Sequence, residues 1–217
     1  MVARETQIHL TRRTQFAYAG ELDFLGPRIP DGGSVLEVGC GAGRMTRVLA
    51  ESGYQVTAID HSADMLAHVA EIRGVKVFHA SIESMRLGAK FDAVLIPSFL
   101  WHSVDEGRGA MLTTCRDHLA AGGQIFIEWW PPEYFKNASG EGRFGPLINN
   151  QNNTVSADKK QIAIELEYRH DDGRRWETTV TTQKMEIDEL ELHLDRAGLI
   201  FGEWLKPDRK WFSASAL

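Results

Sequence analysis

The chain is poor in cysteine and has no surplus of positive charge. It has 217 residues, of which two are cysteines, and neither lies in a Cys-x-x-Cys pair. Because two cysteines make no disulfide framework, we expect Cys40 and Cys115 to be free thiols in a reducing, cytoplasmic compartment. Acidic residues outnumber basic ones by 30 to 24, which gives a formal net charge of −6. Proteins that grip a nucleic-acid backbone usually carry a basic surface, so the composition disfavours a nucleic-acid partner.

Long apolar runs and metal-ligand clusters are also lacking. No apolar run approaches the ~20 residues of a membrane-spanning helix, and none follows the first residues as in a secretory leader. We therefore expect no membrane partner. Asp64 and His68 are four residues apart and share a predicted helix face, but the sequence offers no third ligand near them. We predict no metal.

Short apolar runs alternate with helical patterns over the first 130 residues. The predicted strands are 35–38, 56–59, 75–78, 91–96 and 124–128. The predicted helices are 11–25, 44–52, one capped by Ser62 and ended by Gly74, and one through Met111 that ends at Gly122 and Gly123. Apolar strands that alternate with helices indicate a parallel sheet covered on both faces, which is the doubly wound α/β fold.

The pattern changes after this alternating region. Residues 131–158 are rich in proline, glycine, asparagine and serine and predict a loop, whereas 161–170 and 176–184 alternate around an Asp-Asp-Gly turn and predict an inserted β-hairpin. Asp188 is predicted to cap the last helix, with Glu191 completing a capping box. Two strands near 199–205 and 211–214 follow. We interpret residues 1–217 as one domain with two special parts, a helical lid at 1–30 and a substrate-side insertion at 131–186.

A glycine-rich loop joins the first predicted strand to its helix. In open parallel sheets, ligands bind beyond the carboxyl ends of the strands, so this loop lies at the expected crevice. Gly39, Gly41 and Gly43 permit a tight turn and close approach of a ligand. Asp60 ends the second strand, where a carboxylate can accept hydrogen bonds from ribose hydroxyls. The alternative is that these are turn glycines and a helix-capping acid.

The loop spacing distinguishes between nucleotide-like ligands. The dinucleotide fingerprint is G-x-G-x-x-G, whereas this loop reads G-x-G-x-G and has Arg44 at the place of the third glycine. Glu37 lies two residues before the first glycine. A carboxylate there suits a ligand with a cationic amine and no pyrophosphate, which favours an adenosyl amino acid over NAD.

Two segments resemble a known family. Residues 35–44 (VLEVGCGAGR) closely resemble the first motif of the class I S-adenosylmethionine-dependent methyltransferases, and residues 58–66 (AIDHSADML) resemble the second. The resemblance covers about residues 34–130. It implies a Rossmann-like, seven-stranded sheet with an antiparallel last strand, with S-adenosylmethionine as donor and S-adenosylhomocysteine as product. In this family the glycine loop faces the methionine part of the donor, Asp60 the ribose, and Met65 the adenine.

The resemblance also supplies a set of predicted donor contacts. After the third strand the family often has an aspartate that contacts the adenine amino group, but Ser81 occupies that position here. Either Glu83 compensates or the backbone of Ile82 recognises the adenine. The full predicted set is Glu37, Gly39, Cys40, Gly41, Gly43, Arg44, Asp60, His61, Met65, Ser81, Ile82, Glu83, Pro97 and Ser98.

The acceptor side is predicted from the exits of the fourth and fifth strands. His102 is the candidate base, because imidazole accepts a proton near neutral pH; the alternative is a histidine that packs or binds the donor carboxylate. Tyr18 is the second catalytic candidate, to orient donor or acceptor, with simple packing as its alternative. No Asn/Asp-Pro-Pro-Tyr/Phe motif is present, which disfavours methylation of base amino groups and protein amides.

Residues 128–135 (EWWPPEYF) resemble a segment of the sugar-amine N-methyltransferases of antibiotic pathways, which also carry an antiparallel insertion. Adjacent tryptophans can wall a pocket and attract a cationic acceptor, although one of them can instead be core and the other cover the sheet edge. The predicted substrate contacts are Trp101, His102, Trp129, Trp130 and Tyr134.

These observations predict a small-molecule N- or O-methyltransferase that works as a monomer or homodimer. Two alternatives remain open. The first uses the same donor in another reaction, such as transfer or cyclisation of its aminocarboxypropyl arm. The second is a non-catalytic partner that binds the donor.

Overall fold

The computed structural model describes residues 18–96, 100–102, 107–137, 140–144, 147–155 and 161–217. Two β-sheets make up its frame, and helices cover the larger one. The helices are α1 (Leu22–Leu25, continued by a 3₁₀ turn, Gly26–Arg28), α2 (Arg44–Glu51), α3 (Ala63–Val69), α4 (Arg108–Asp117), α5 (Pro132–Asn137) and α6 (Ile187–Arg196). The strands are β1 (Ser34–Val38), β2 (Gln55–Asp60), β3 (Lys76–His79), β4 (Phe91–Ile96), β5 (Leu119–Glu128), β6 (Gly140–Phe144), β7 (Leu147–Val155), β8 (Gln161–His170), β9 (Arg175–Gln183), β10 (Leu199–Trp204) and β11 (Trp211–Ala216).

The larger sheet has seven strands in the order β10-β11-β5-β4-β1-β2-β3. Strands β1 to β5 are parallel, whereas β11 runs antiparallel to both of its neighbours, β5 and β10. The predicted Rossmann-like sheet with an antiparallel last strand is therefore confirmed. Strand β1 pairs with β2 on one side and with β4 on the other. This is the point where the strand order reverses, and ligands of such folds bind beyond the strand ends there.

The central strands are apolar at nearly every position because both faces of the sheet are covered. Successive side chains of a strand point to opposite faces. Val94 belongs to one buried cluster, which includes residues of α4 and α6, and Leu95 belongs to the other, which includes residues of α1 and α2. Strand β5 repeats the division with Ile125 and Phe126. Two separate cores thus hold the sheet from its two sides.

The second sheet is antiparallel and has four strands in the order β6-β7-β8-β9. Its β8–β9 pair confirms the predicted hairpin. The predicted loop at 131–158 is wrong in part, since it contains α5, β6 and β7. Asparagine-rich β7 has low strand propensity, but its backbone pairs with β8 over nine positions. Asn150 and Asn152 also donate across to Glu167 and Glu165, each at 3.2 Å, so pairing with a neighbour overrides local preference.

Several boundaries differ from the predictions. Helix α3 ends at Val69, five residues before the predicted stop at Gly74, and β5 begins at Leu119 rather than at 124. Helix α4 ends at Asp117, and Gly122 and Gly123 lie inside β5, where a Cβ on Gly123 would come within 2.8 Å of the Phe91 carbonyl oxygen. Of the predicted helix at 11–25, residues 11–17 lie outside the described residues, and α1 forms its last turn. The last helix is capped two residues earlier than predicted, by Glu186, with Glu189 completing the capping box.

The revised cap gives a direct test. In α6 the Glu189 carboxylate accepts the Glu186 N–H at 3.0 Å, whereas Glu191 is exposed and has no place in the capping box. We expect Glu189→Ala to lower the free energy of unfolding by about 0.5–2 kcal/mol, because capping contacts contribute that much. The matched change Glu191→Ala should stay close to wild type. Urea unfolding of both variants measures the difference, and equal losses would contradict the assigned cap.

Candidate functional site

The glycine loop runs from the end of β1 to the start of α2 at the reversal point of the sheet. Its glycines at 39, 41 and 43 all have positive φ, +64°, +57° and +85°, a region that side chains with a Cβ rarely adopt. A Cβ on Gly39 would also lie 2.3 Å from Leu100 Cδ1. The segment that follows β4 therefore passes directly against this loop.

Asp60 braces the glycine loop. It is buried at the end of β2, and its Oδ2 accepts the Gly41 N–H at 2.8 Å while its Oδ1 accepts the Ser62 N–H at 2.9 Å. One carboxylate thus fixes the turn after β1 and the start of α3. Each carboxylate oxygen has two acceptor positions, so these bonds do not exhaust its capacity for hydroxyl donors.

Glu37 is a buried acid below the glycine loop. Its Oε2 accepts the Thr46 hydroxyl at 2.6 Å. Burial raises its pKa to about 7, with Asp60 and Glu21 adding to the rise, while the Thr46 hydrogen bond and Arg44 oppose it. This acid is therefore divided between charged and neutral forms near neutral pH. A bound cation nearby would stabilise the charged form.

Two predicted site residues hold the segment before α1. Arg44 forms an ion pair with the buried Glu21, which also accepts the Ala19 N–H at 2.9 Å. The Tyr18 hydroxyl accepts the Leu22 N–H at 2.7 Å and so begins α1. Partial burial raises the Tyr18 pKa, which keeps the phenol protonated. Arg44 and Tyr18 thus tie the chain locally at the start of α1, and their roles toward the donor and in catalysis stay predictions.

The other predicted donor contacts fall into three groups. Cys40, Met65 and Ile82 are buried. His61, Ser81 and Glu83 are exposed, and the Ser81 hydroxyl donates to the Glu83 carboxylate. The remaining two, Pro97 and Ser98, lie outside the described residues.

His102, the predicted base, has both ring nitrogens engaged. Its Nδ1 lies 2.9 Å from the Gln183 carbonyl oxygen, and its Nε2 accepts the Trp130 N–H at 2.9 Å. The side chain is buried, and burial lowers its pKa to about 4, with the nearby Arg108 adding to the fall. The role of His102 as a base stays a prediction, and in this arrangement both ring nitrogens are already engaged.

The predicted substrate tryptophans separate into core and site residues. Trp101 and Trp129 are 0% and 1% exposed and pack in the core against Phe212 and Trp204, so the structure buries these two of the predicted substrate contacts. Trp130 is only half-buried and lies 4.2 Å from the Tyr134 ring, centroid to centroid.

Trp130, Tyr134 and Phe135 form an aromatic cluster at the exit of β5. Their rings lie within 4.2 to 6.2 Å of one another and pack against the apolar inner face of the second sheet. Glu128 accepts the Trp130 indole N–H at 3.3 Å. The Lys210 ammonium lies 5.3 Å above the Tyr134 ring. The cluster therefore has charge of both signs at its margin.

The prediction missed several residues around this cluster. The sequence could have indicated Glu128 as a site residue, because it is the last residue of a buried strand at the ligand-binding edge. No sequence pattern indicates Gln183 or Lys210, because they reach the site through the pairing of β9 and β11 with distant parts of the chain. The described residues contain no group of three or more His, Cys, Asp or Glu side chains that could hold a metal ion. None of the described helices is long and apolar enough to span a membrane.

Residues 35–123 match the family model described as a methyltransferase domain. This segment contains the glycine loop, Asp60 and the exits of β1, β2 and β4. Residues 35–123 are therefore similar to the methyltransferase domain that this family model describes. The resemblance drawn from the two loop motifs is thereby confirmed.

Curated relatives of the methyltransferase domain act on different acceptors. The chain is 32% identical over 118 residues to the cypemycin N-terminal methyltransferase of a Streptomyces species, covering 52% of this chain and 48% of that protein. It is 30% identical over 117 residues to a dTDP-3-amino-3,4,6-trideoxy-alpha-D-glucopyranose N,N-dimethyltransferase of Streptomyces venezuelae, covering 52% and 49%. The chain thus spans about half the length of the curated relatives it matches.

A solved structure matches nearly the whole chain. It is the S-adenosylmethionine-bound structure of an amino pentose methyltransferase from Micromonospora echinaspora involved in calicheamicin biosynthesis. The TM-score is 0.77 at 23% identity, over 95% of this chain and 94% of that one. At this identity the likeness shows a shared fold, which extends beyond the methyltransferase domain.

The buried neutral His102 predicts a fold that weakens in acid. Its folded pKa of about 4 lies below the unfolded value of about 6.5, so the unfolded chain binds the proton first as the pH falls. The contribution of the neutral ring is complete above about pH 6.5 and is lost towards about pH 4. The loss amounts to about 3 kcal/mol of unfolding free energy.

The measurement is the difference in unfolding free energy between wild type and His102→Asn at several pH values. Glu37 has the opposite sign, since its raised pKa adds stability as the pH falls below about 7. Glu37 is present in both proteins, so its effect cancels in the difference. A difference that stays constant between about pH 7 and about pH 4 would contradict the neutral state of His102.

Proposed function

We propose that this protein transfers the methyl group of S-adenosylmethionine to a nitrogen or oxygen atom of a small molecule. The observation that carries the proposal is the glycine loop braced by Asp60 above the buried acid Glu37. It lies within a methyltransferase domain, at the reversal point of the sheet. S-Adenosylhomocysteine is the expected product.

The charges around the loop support this donor. S-Adenosylmethionine carries a sulfonium and an ammonium group but no phosphate, and Glu37 offers the complementary charge. A pyrophosphate ligand would meet Glu37 and Asp60 as like charges. On this proposal the Asp60 carboxylate binds the ribose hydroxyls. The loop glycines let the methionine part approach the backbone.

The aromatic cluster and the second sheet supply the acceptor side. We propose that Trp130 and Tyr134 wall the acceptor pocket, and that the second sheet, within residues 131–186, covers it. A neutral amine attacks the methyl group with its lone pair while the bond from carbon to sulfur breaks, and its nitrogen becomes cationic in that step. Aromatic faces attract cations, and Glu128 adds a carboxylate at the margin, so the pocket suits an amine that gains charge during transfer. The curated relatives named above support this choice, since both are named for methyl transfer to nitrogen.

Positioning accounts for the chemistry without a base at His102. The sulfonium already activates the methyl group, and holding donor and acceptor in line supplies about 7–11 kcal/mol of the barrier. We further propose a cytoplasmic location, which suits the two free, buried cysteines. The oligomeric state, monomer or homodimer, is open to size measurement.

Product analysis tests the proposed reaction. The purified chain is incubated with methyl-labelled S-adenosylmethionine and a pool of small amines and alcohols, and the nucleoside product is identified. S-Adenosylhomocysteine together with a labelled acceptor is the expected result. Methylthioadenosine would show aminocarboxypropyl chemistry instead. Donor binding without either product from any acceptor would favour a non-catalytic partner.

Because Asp60 holds the glycine loop through its hydrogen bonds, its substitution tests the binding of S-adenosylmethionine. Asp60→Asn removes the negative charge and replaces one carboxylate oxygen by an NH₂ group, which cannot accept a hydrogen bond. Either the Gly41 N–H or the Ser62 N–H then loses its acceptor, and the ribose hydroxyls lose one as well. We expect the donor Kd to rise about tenfold or more, since charge-assisted hydrogen bonds contribute roughly 1.5–3 kcal/mol. Titration calorimetry measures it. Asp64→Asn, an exposed change in the first turn of α3, serves as the control, and an unchanged Kd in Asp60→Asn would refute the ribose assignment.

Glu37 predicts that donor binding depends on pH. The donor favours the charged acid, and the pKa of Glu37 without ligand is about 7. Binding therefore releases a proton near neutral pH, and affinity falls as the pH drops from about 8 to about 6. Glu37→Gln should bind more weakly, with affinity nearly independent of pH over that range. Calorimetry in two buffers of different ionisation enthalpy detects the proton that is released on binding. Identical heats in both buffers would contradict this prediction.

A further inference from the structure

We infer that His102 is a positioning residue, which holds Trp130 and the second sheet in place at the acceptor side through one fixed tautomer of a neutral imidazole. The inference deepens the proposed function, and its acceptor part rests on that function. The tautomer of His102 and its hydrogen bonds do not depend on the proposed function.

The partners of the ring determine the tautomer. The Gln183 carbonyl oxygen can only accept a hydrogen bond, so the proton must lie on Nδ1. The Trp130 backbone N–H can only donate, so Nε2 must be the unprotonated nitrogen. The opposite tautomer would set a proton against a proton at Trp130 and a lone pair against a lone pair at Gln183.

His102 also ties the chain through its own backbone. Its carbonyl oxygen accepts the Gln183 N–H at 2.9 Å and the Thr182 hydroxyl at 3.1 Å. The segment after β4 therefore extends the edge of the second sheet at the end of β9. Together with the bond to Trp130, one residue joins the exit of β4, the exit of β5 and the inserted sheet.

The ring sits in a packed setting that keeps it in place. Phe135 of the aromatic cluster meets it edge to face, with centroids 5.6 Å apart. Arg108 of α4 is the charged group beside it and donates to the Trp101 carbonyl at 2.8 Å. Arg108 also contacts His193 of α6 at 3.3 Å, and Glu128 of β5 accepts the Trp130 indole N–H. The charges around His102 therefore disfavour an imidazolium.

Trp130 connects His102 to the proposed acceptor pocket. Its backbone is held by His102, and its indole contacts Glu128 and Tyr134. A shift of the backbone would move the wall of the proposed acceptor pocket, while Gly39, Gly41 and Asp60 would stay in place. His102 should therefore govern the KM for the acceptor and leave the donor Kd unchanged.

Two substitutions separate the two ring bonds. His102→Asn places an amide at the level of Nδ1, which keeps the bond to Gln183 and loses the acceptor for Trp130. His102→Gln reaches the level of Nε2 and keeps an acceptor for Trp130. We expect His102→Asn to raise the acceptor KM roughly tenfold, the size expected for a buried unpaired N–H. We expect His102→Gln to restore most of the loss. His68→Asn, on the exposed face of α3, is the matched control.

The outcomes distinguish the roles of His102. A raised acceptor KM in His102→Asn, with donor Kd and kcat close to wild type, supports positioning. A large fall in kcat in both variants, with acceptor KM unchanged, would show a role in the chemical step and overturn the inference. Wild-type behaviour of both variants would overturn it equally.

A second measurement does not depend on the variants folding or on the proposed reaction. Nitrogen-15 spectra of the wild-type histidine side chains report which ring nitrogen carries the proton. We expect a protonated Nδ1 and an unprotonated Nε2 for His102 at neutral pH, and a proton on Nε2 would overturn the inference. Absence of donor binding by the wild type would instead refute the proposed function and leave the tautomer standing.

Discussion

The hydrogen bond from the Gly41 amide to the Asp60 carboxylate joins the two motifs on which the site depends. Gly41 follows β1 and Asp60 ends β2, so the bond locks two neighbouring strand exits together. The same carboxylate begins α3 through Ser62. Parallel strands bring these residues to one edge of the sheet. The carboxylate holds the loop backbone in its positive-φ path together with the bonds from the Cys40 N–H to the Ile59 carbonyl and from the Gly43 N–H to the Cys40 carbonyl. The geometry of the loop is therefore set by bonds within the chain, and such internal bracing lowers the ordering cost of binding.

The two sides of the proposed site are held by different means. The donor side is made of backbone turns and buried acids within the parallel sheet. The acceptor side is assembled from distant segments, and His102 is where three of them meet. A histidine suits this place only while it is neutral, because only then does one ring present a donor and an acceptor at once. Its buried position makes the neutral form the stable one.

Much of the fold and the donor loop could be predicted from the sequence, because continuous apolar strands and loop glycines are local signals. Asp60 was found by its place at a strand end. The acceptor side was harder. His102 has the residue type of a base, yet its partners come from residues 28 and 81 positions away. Strand β7 escaped prediction because cross-strand pairing, not propensity, makes it a strand. Trp129 and Trp130 are neighbours in sequence, and only packing sends one to the core and the other to the cluster.

The asparagine–glutamate pairs on the outer face of the second sheet have a consequence for how that sheet assembles. Asn150 with Glu167 and Asn152 with Glu165 repeat at the period of the strands themselves. A slip by two residues would place one of the two asparagines opposite Ala163 or Arg169, so only one Asn–Glu pair would remain. The polar face therefore helps to specify the register between β7 and β8. The Asp-Asp-Gly turn acts on the next pairing, between β8 and β9, and Ile162 and Ile164 keep the opposite face of β8 in the apolar cluster.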